Sequence, residues 1–106
     1  MTIWHYNYYM QFEWDENKRL INIQKHGIDF ADVPEIFELD TITVIDDRFE
    51  YGETRYQTLG FLKARVIMVV HTESETIIRI ISARKANKYE EEIYFSEISD
   101  WLRPSR

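Results

Sequence analysis

The chain has 106 residues, 44% of them hydrophobic and 30% charged, and no cysteine. That length supports one modest core, and the composition excludes a disordered chain, a disulfide framework and a thiolate metal cluster. The net charge is −6, unevenly spread: nine acids and one base from Asp29 to Glu53, six bases and two acids from Lys63 to Lys88. Two such regions can meet two kinds of partner or can both be solvated surface. No apolar run approaches a membrane span and no charged leader precedes an apolar stretch. A cytoplasmic protein without membrane contact is therefore expected.

In chain order, Trp4, Tyr6, Tyr8 and Tyr9 crowd together without a helical or strand register. Residues 1–9 are read as a peripheral extension and 10–106 as a single domain, for which Met10 could serve as a start. Phe12-Glu13-Trp14 alternates like a short strand. Asp15 is placed as the N-cap of a helix over Glu16 to His26 that stops at Gly27. Asp29 caps a second helix from about Phe30 to Phe37, with Val33, Ile36 and Phe37 on its buried side and Pro34 early enough to be tolerated.

Thr41 to Ile45 and Gln57 to Leu62 read as strands, and the unbroken apolar run Val66 to Val70 as a central one covered on both faces. Glu73-Ser74-Glu75 suits a hairpin turn before a strand over Ile77 to Ser82. Asn87 and Glu90 form a capping-box pair that opens a last helix, Lys88 to about Leu102. Tyr94, Ile98, Trp101 and Leu102 share its apolar face, and Pro104 ends it. The expected fold is α+β, an antiparallel sheet with two N-terminal helices and one C-terminal helix.

Two groups of residues could carry chemistry. Asp15, Lys18, Asn22 and Lys25/His26 recur at spacings of three and four and form one polar stripe on the first helix. His26 closes that helix, where the dipole favours its charged form. The plain alternative is a solvated face. Arg79, Ser82, Arg84 and Lys85 end the last strand just before a helix N-terminus, an arrangement suited to a phosphate, or merely a basic rim. Strict alternation puts Arg79 and Arg84 on opposite faces, so they converge only if the strand ends or bulges near Ala83. His71 ends an apolar strand, where a structural histidine is the commoner role. Glu53 and Arg55 read by default as a surface ion pair. His5, His26 and His71 show no metal-ligand spacing, so neither a metal nor a cofactor is expected.

In order and spacing, Phe12-Glu-Trp-Asp15, Lys18, Asn22, Lys25-His26-Gly27-Ile28 and Phe30 resemble the opening of the BrnT toxin family. Glu53-Thr-Arg55-Tyr56 with Gly60 resembles its middle. Val69-Val70-His71-Thr72 and Arg79-Ile-Ile-Ser82-Ala83-Arg84-Lys85-Ala86 resemble its most recognisable stretch, and Glu90 with Tyr94 its end. The resemblance covers residues 10 to about 95. It implies a RelE-like toxin fold, RNA cleavage, and a BrnA-like antitoxin partner through which alone operator DNA is reached.

Metal-independent cleavage would use the RNA's own 2′-hydroxyl. In that scheme His26 is the general base or acid, Lys25 supports it, Arg79 and Arg84 hold the phosphate, and Glu53 or His71 orients its neighbours. Arg55, Ser82 and Lys85 would contact RNA, as would Tyr94 unless it simply packs. Two rivals are a non-catalytic module that keeps only antitoxin binding and a regulator that binds nucleic acid alone. The second fits worst, because no helix carries a dense basic face.

Overall fold

The computed structural model describes residues 2–4 and 10–102, with side chains from 10 to 99. Among these, six strands make one sheet: β1 (Thr2–Trp4), β2 (Gln11–Trp14), β3 (Thr41–Asp46), β4 (Arg55–Leu62), β5 (Arg65–Glu73) and β6 (Ile77–Lys85). Their spatial order is β1-β3-β4-β5-β6-β2. Helices α1 (Glu16–His26) and α2 (Lys88–Leu102) and a 3₁₀ helix (Phe30–Glu38) complete the chain. None of the described helices is long and apolar enough to cross a membrane.

Helix α1 obeys its local signals. Asp15 accepts from the Lys18 amide at 3.0 Å, and Gly27 takes the left-handed conformation at φ 70°. The second helix departs from expectation. Asp29 does cap it, accepting from the Ala31 amide at 2.9 Å, but its turns are 3₁₀ rather than α. Pro34 has no N–H to give the Phe30 carbonyl, the bond an α-helix would need there. The tighter period of three stacks Phe30, Val33 and Ile36 on one side, and all three are buried.

The sheet is mixed, not antiparallel throughout. Strand β2 runs parallel to β6, pairing Phe12 with Ile78 and Trp14 with Ile80. This register turns all four apolar side chains toward the same core, although more than sixty residues separate the two strands. Within the segment read as an extension, Thr2–Trp4 pair antiparallel with β3 along the sheet edge. His5, Tyr6, Tyr8, Tyr9 and Pro104 lie outside the described residues, as do the side chains of Trp4, Trp101 and Leu102.

Each face of the sheet has its own core. On one face α1 and the 3₁₀ helix cover Ile67, Val69, Ile78, Ile80 and Ala83. Gly60 belongs here because a Cβ would meet Ile36 Cγ2 at 1.8 Å. Asn22, 5% exposed, locks α1 onto β6: its amide donates to the Ala83 and Ile28 carbonyls and accepts from the Ala83 amide. On the other face α2 covers only one end, packing Tyr94 and Ile93 against Ile42, Leu59, Val66 and Met68. Among the described residues no helix covers the rest of that face.

Candidate active site

Cross-strand register determines which side chains share the open face, because paired residues point the same way. Asp46 pairs with Arg55, Thr72 with Arg79, and Arg79 with Glu13. Continuing the Tyr56–His71 register sets Arg55 beside Thr72. One row therefore crosses five strands: Asp46, Arg55, Thr72, Arg79, Glu13. Its two arginines stand two strand spacings apart, about 10 Å. The next row is Val44, Gln57, Val70 and Ser82, and the one after it Ile42, Leu59, Met68 and Arg84.

Arg84 joins this face through a β-bulge. Val70 pairs with Ser82 but His71 pairs with Ile80, so Ile81 is an extra residue in β6. The extra residue inverts the alternation beyond it. Ile78, Ile80 and Ala83 consequently all enter the helix-side core, while Arg79, Ser82 and Arg84 turn to the opposite side.

The arginines differ in how they are held. Arg84 forms a fork with Glu90, at 2.8 and 3.0 Å, and Glu90 completes the capping box by accepting from the Asn87 amide at 2.9 Å. These donors hold the Glu90 carboxyl below the ordinary range. Arg55 donates to Glu53 at 3.0 Å and lies over the Tyr51 ring, 4.2 Å from its centroid. Asp46 beneath them is buried and accepts from Arg48 and Tyr51, which bring its pKa down to about 2. With its amide turned so that oxygen faces Arg48, Gln57 accepts from Arg48 Nε at 3.1 Å. Arg79 is exposed and has no ion pair among the described residues.

The residues singled out from the sequence fall on two sides of the sheet. Arg79, Ser82, Arg84 and Arg55 are together on the open face, with Glu53 tied to Arg55. His26 and Lys25 end α1 on the other side, where the bulge also directs Lys85. No contact joins His26 to the arginines of the open face. His71 is fully buried, its Nε2 2.7 Å from Thr58 Oγ1 and its ring stacked on Tyr56. Burial lowers its pKa to about 4. Tyr94 packs in the core and donates to the Asp40 carbonyl at 3.1 Å. Among the described residues no group of three or more His, Cys, Asp or Glu is arranged to hold a metal ion.

Sequence reasoning missed Glu13, Arg48 and Tyr51. Glu13 was open to inference, since Phe12 and Trp14 face the core and alternation turns Glu13 away from it. Arg48 and Tyr51 lie in a connection without periodicity, and only the folded chain brings them onto Asp46.

A family model described as the ribonuclease toxin BrnT of type II toxin–antitoxin systems matches residues 14–90, most of the chain. No curated protein matches the chain.

Proposed function

The chain belongs to the BrnT ribonuclease toxins of type II toxin–antitoxin systems, and from that premise we propose that it cleaves RNA without a metal on the open half of its sheet. The observation that carries this reading is the row holding Arg55 and Arg79, with Ser82 one row behind. Fixed guanidinium groups suit the two charges that matter, the bound phosphate and the phosphorane formed from it. In the proposed step the 2′-oxygen bonds to phosphorus and the bond from phosphorus to the 5′-oxygen breaks. Glu53, held by Arg55, takes the 2′-proton, and the leaving oxygen takes a proton from solvent. The same proposal includes a RelE-like fold, a BrnA-like antitoxin that neutralises the toxin, and operator contact only through that antitoxin.

One observation favours a second arrangement. His26 is only partly buried and shares its side of the sheet with Lys25 and Lys85. A histidine with solvent access can move protons near neutral pH. In that arrangement the helix side would carry the chemistry and the open face would only bind RNA.

Induced alone in a bacterial host, the chain should arrest growth, and co-expression of the antitoxin should restore it. Total RNA from the arrested cells should be fragmented. Normal growth with abundant soluble protein would favour a non-catalytic module that keeps only antitoxin binding.

A further inference from the structure

Between the N-terminal half of α2 and the sheet lies a groove of about 230 Å³. Its floor and walls are apolar: Ile42, Val44, Leu59, Met68 and Ile93. Its polar rim is Gln57, Asn87, Tyr89 and Glu90. We infer that this groove is a base subsite, which takes one unstacked RNA base next to the cleaved phosphate and prefers a base that presents carbonyl oxygens, guanine or uracil, over adenine. The inference rests on the proposed RNA cleavage at the open face.

Three observations carry it. The first is position. Gln57 belongs to both the groove and the second row of the open face, two residues along β4 from Arg55, a rise of about 7 Å. A phosphate on the arginine row therefore leaves the base of a neighbouring nucleotide within reach of the groove. The second is size and wall chemistry. The groove is smaller than the roughly 300–1,000 Å³ of sites for drug-sized ligands, and its apolar walls suit a flat ring. Tyr89 stands at its mouth 71% exposed, a flat surface on which an unstacked base can stack.

The third is the balance of donors and acceptors. Both oxygens of Glu90 are occupied, by Arg84 and by the Asn87 amide. Asn87 Oδ1 accepts from the Glu90 amide at 2.8 Å. Gln57 commits its oxygen to Arg48. Among the described residues, the NH₂ of Asn87 is the rim amide left without a hydrogen-bond partner, and it is a donor. A donor there pairs with a carbonyl oxygen of guanine or uracil, a group that adenine lacks.

The test uses the intact protein and short RNAs that differ only in the base beside the cleaved phosphate. Wild type should cleave guanine- or uracil-containing RNA faster than the adenine counterpart. Tyr89→Ala should lower kcat/KM on the preferred RNA by about 5- to 150-fold, the usual consequence of losing one base-aromatic stack, and should level the preference. Tyr89→Phe should retain both. In parallel, NMR titration with 5′-GMP, UMP and AMP should shift the Gln57 and Asn87 side-chain amides with the first two, and much less in Tyr89→Ala. Binding of GMP or UMP in the groove by a protein that cleaves nothing would overturn the cleavage proposal and keep the subsite. Equal cleavage of all RNAs, or a Tyr89→Ala variant that loses antitoxin affinity while base preference stays unchanged, would overturn the subsite.

Discussion

Arg79→Ala is expected to cleave RNA about 10²–10³-fold more slowly than wild type, the usual effect of removing one donor that stabilises developing charge. The side chain is exposed, on the uncovered part of the sheet, and free of ion pairs among the described residues. Its removal leaves no buried group without a partner, so stability should change by no more than about 0.5 kcal/mol. Activity and stability should thus separate cleanly in this variant. Arg84→Ala is a poorer probe, because it also frees the Glu90 carboxylate that caps α2. His26→Ala provides the contrast. With the open face as the reaction site it should keep most of its activity, whereas chemistry on the helix side predicts a loss of about 10²–10⁴-fold. Rates on a defined RNA, with circular dichroism of each variant, decide between the two.

Mild acid should destabilise the fold through His71. The folded pKa is about 4 against 6.5 for the free side chain, because burial disfavours the charged ring. The neutral ring is well placed: Nε2 can accept from Thr58, which in turn can accept from Thr43 at 2.8 Å, while Nδ1 faces the Thr72 carbonyl. A depressed folded pKa means that the unfolded chain binds the proton first as pH falls. The stability is therefore complete above about pH 6.5 and is lost as pH drops toward 4. The whole loss is about 3 kcal/mol, of which about 2 kcal/mol should be gone by pH 5. Asp46, with a pKa near 2, is lost only in stronger acid, so the window from pH 7.5 to 5 isolates the histidine. Urea denaturation across that window should show the decline in wild type and a much flatter line in His71→Gln. The same slope in both would place the cause elsewhere.

Capping and periodicity made most elements legible. Asp15, Gly27, Asn87 and Glu90 set the helix ends, and the run Val66 to Val70 is indeed central, between β4 and β6. Pro34 marked the correct segment but not its 3₁₀ geometry, which the stacking of Phe30, Val33 and Ile36 decides. The direction of β2 could not be read locally, since it depends on docking against a strand more than sixty residues away. The candidate site was half visible. Arg79, Ser82, Arg84 and Arg55 were recognised as residue types, but their common face depends on the bulge at Ile81. Spacing places Asn22 in the polar stripe of α1, yet folding buries it as the clamp between α1 and β6. Helical spacing shows which residues share a face of α1 but not which face meets the sheet.

The central claim is cleavage by the RNA's own 2′-hydroxyl on a surface of fixed charges. Its most direct test is mass spectrometry of the ends left on a defined RNA cut by the purified protein in EDTA. The account predicts an undiminished rate and fragments ending in a 2′,3′-cyclic phosphate and a 5′-hydroxyl. Cleavage that stops in EDTA, and in the presence of magnesium leaves 5′-phosphate and 3′-hydroxyl ends, would contradict it.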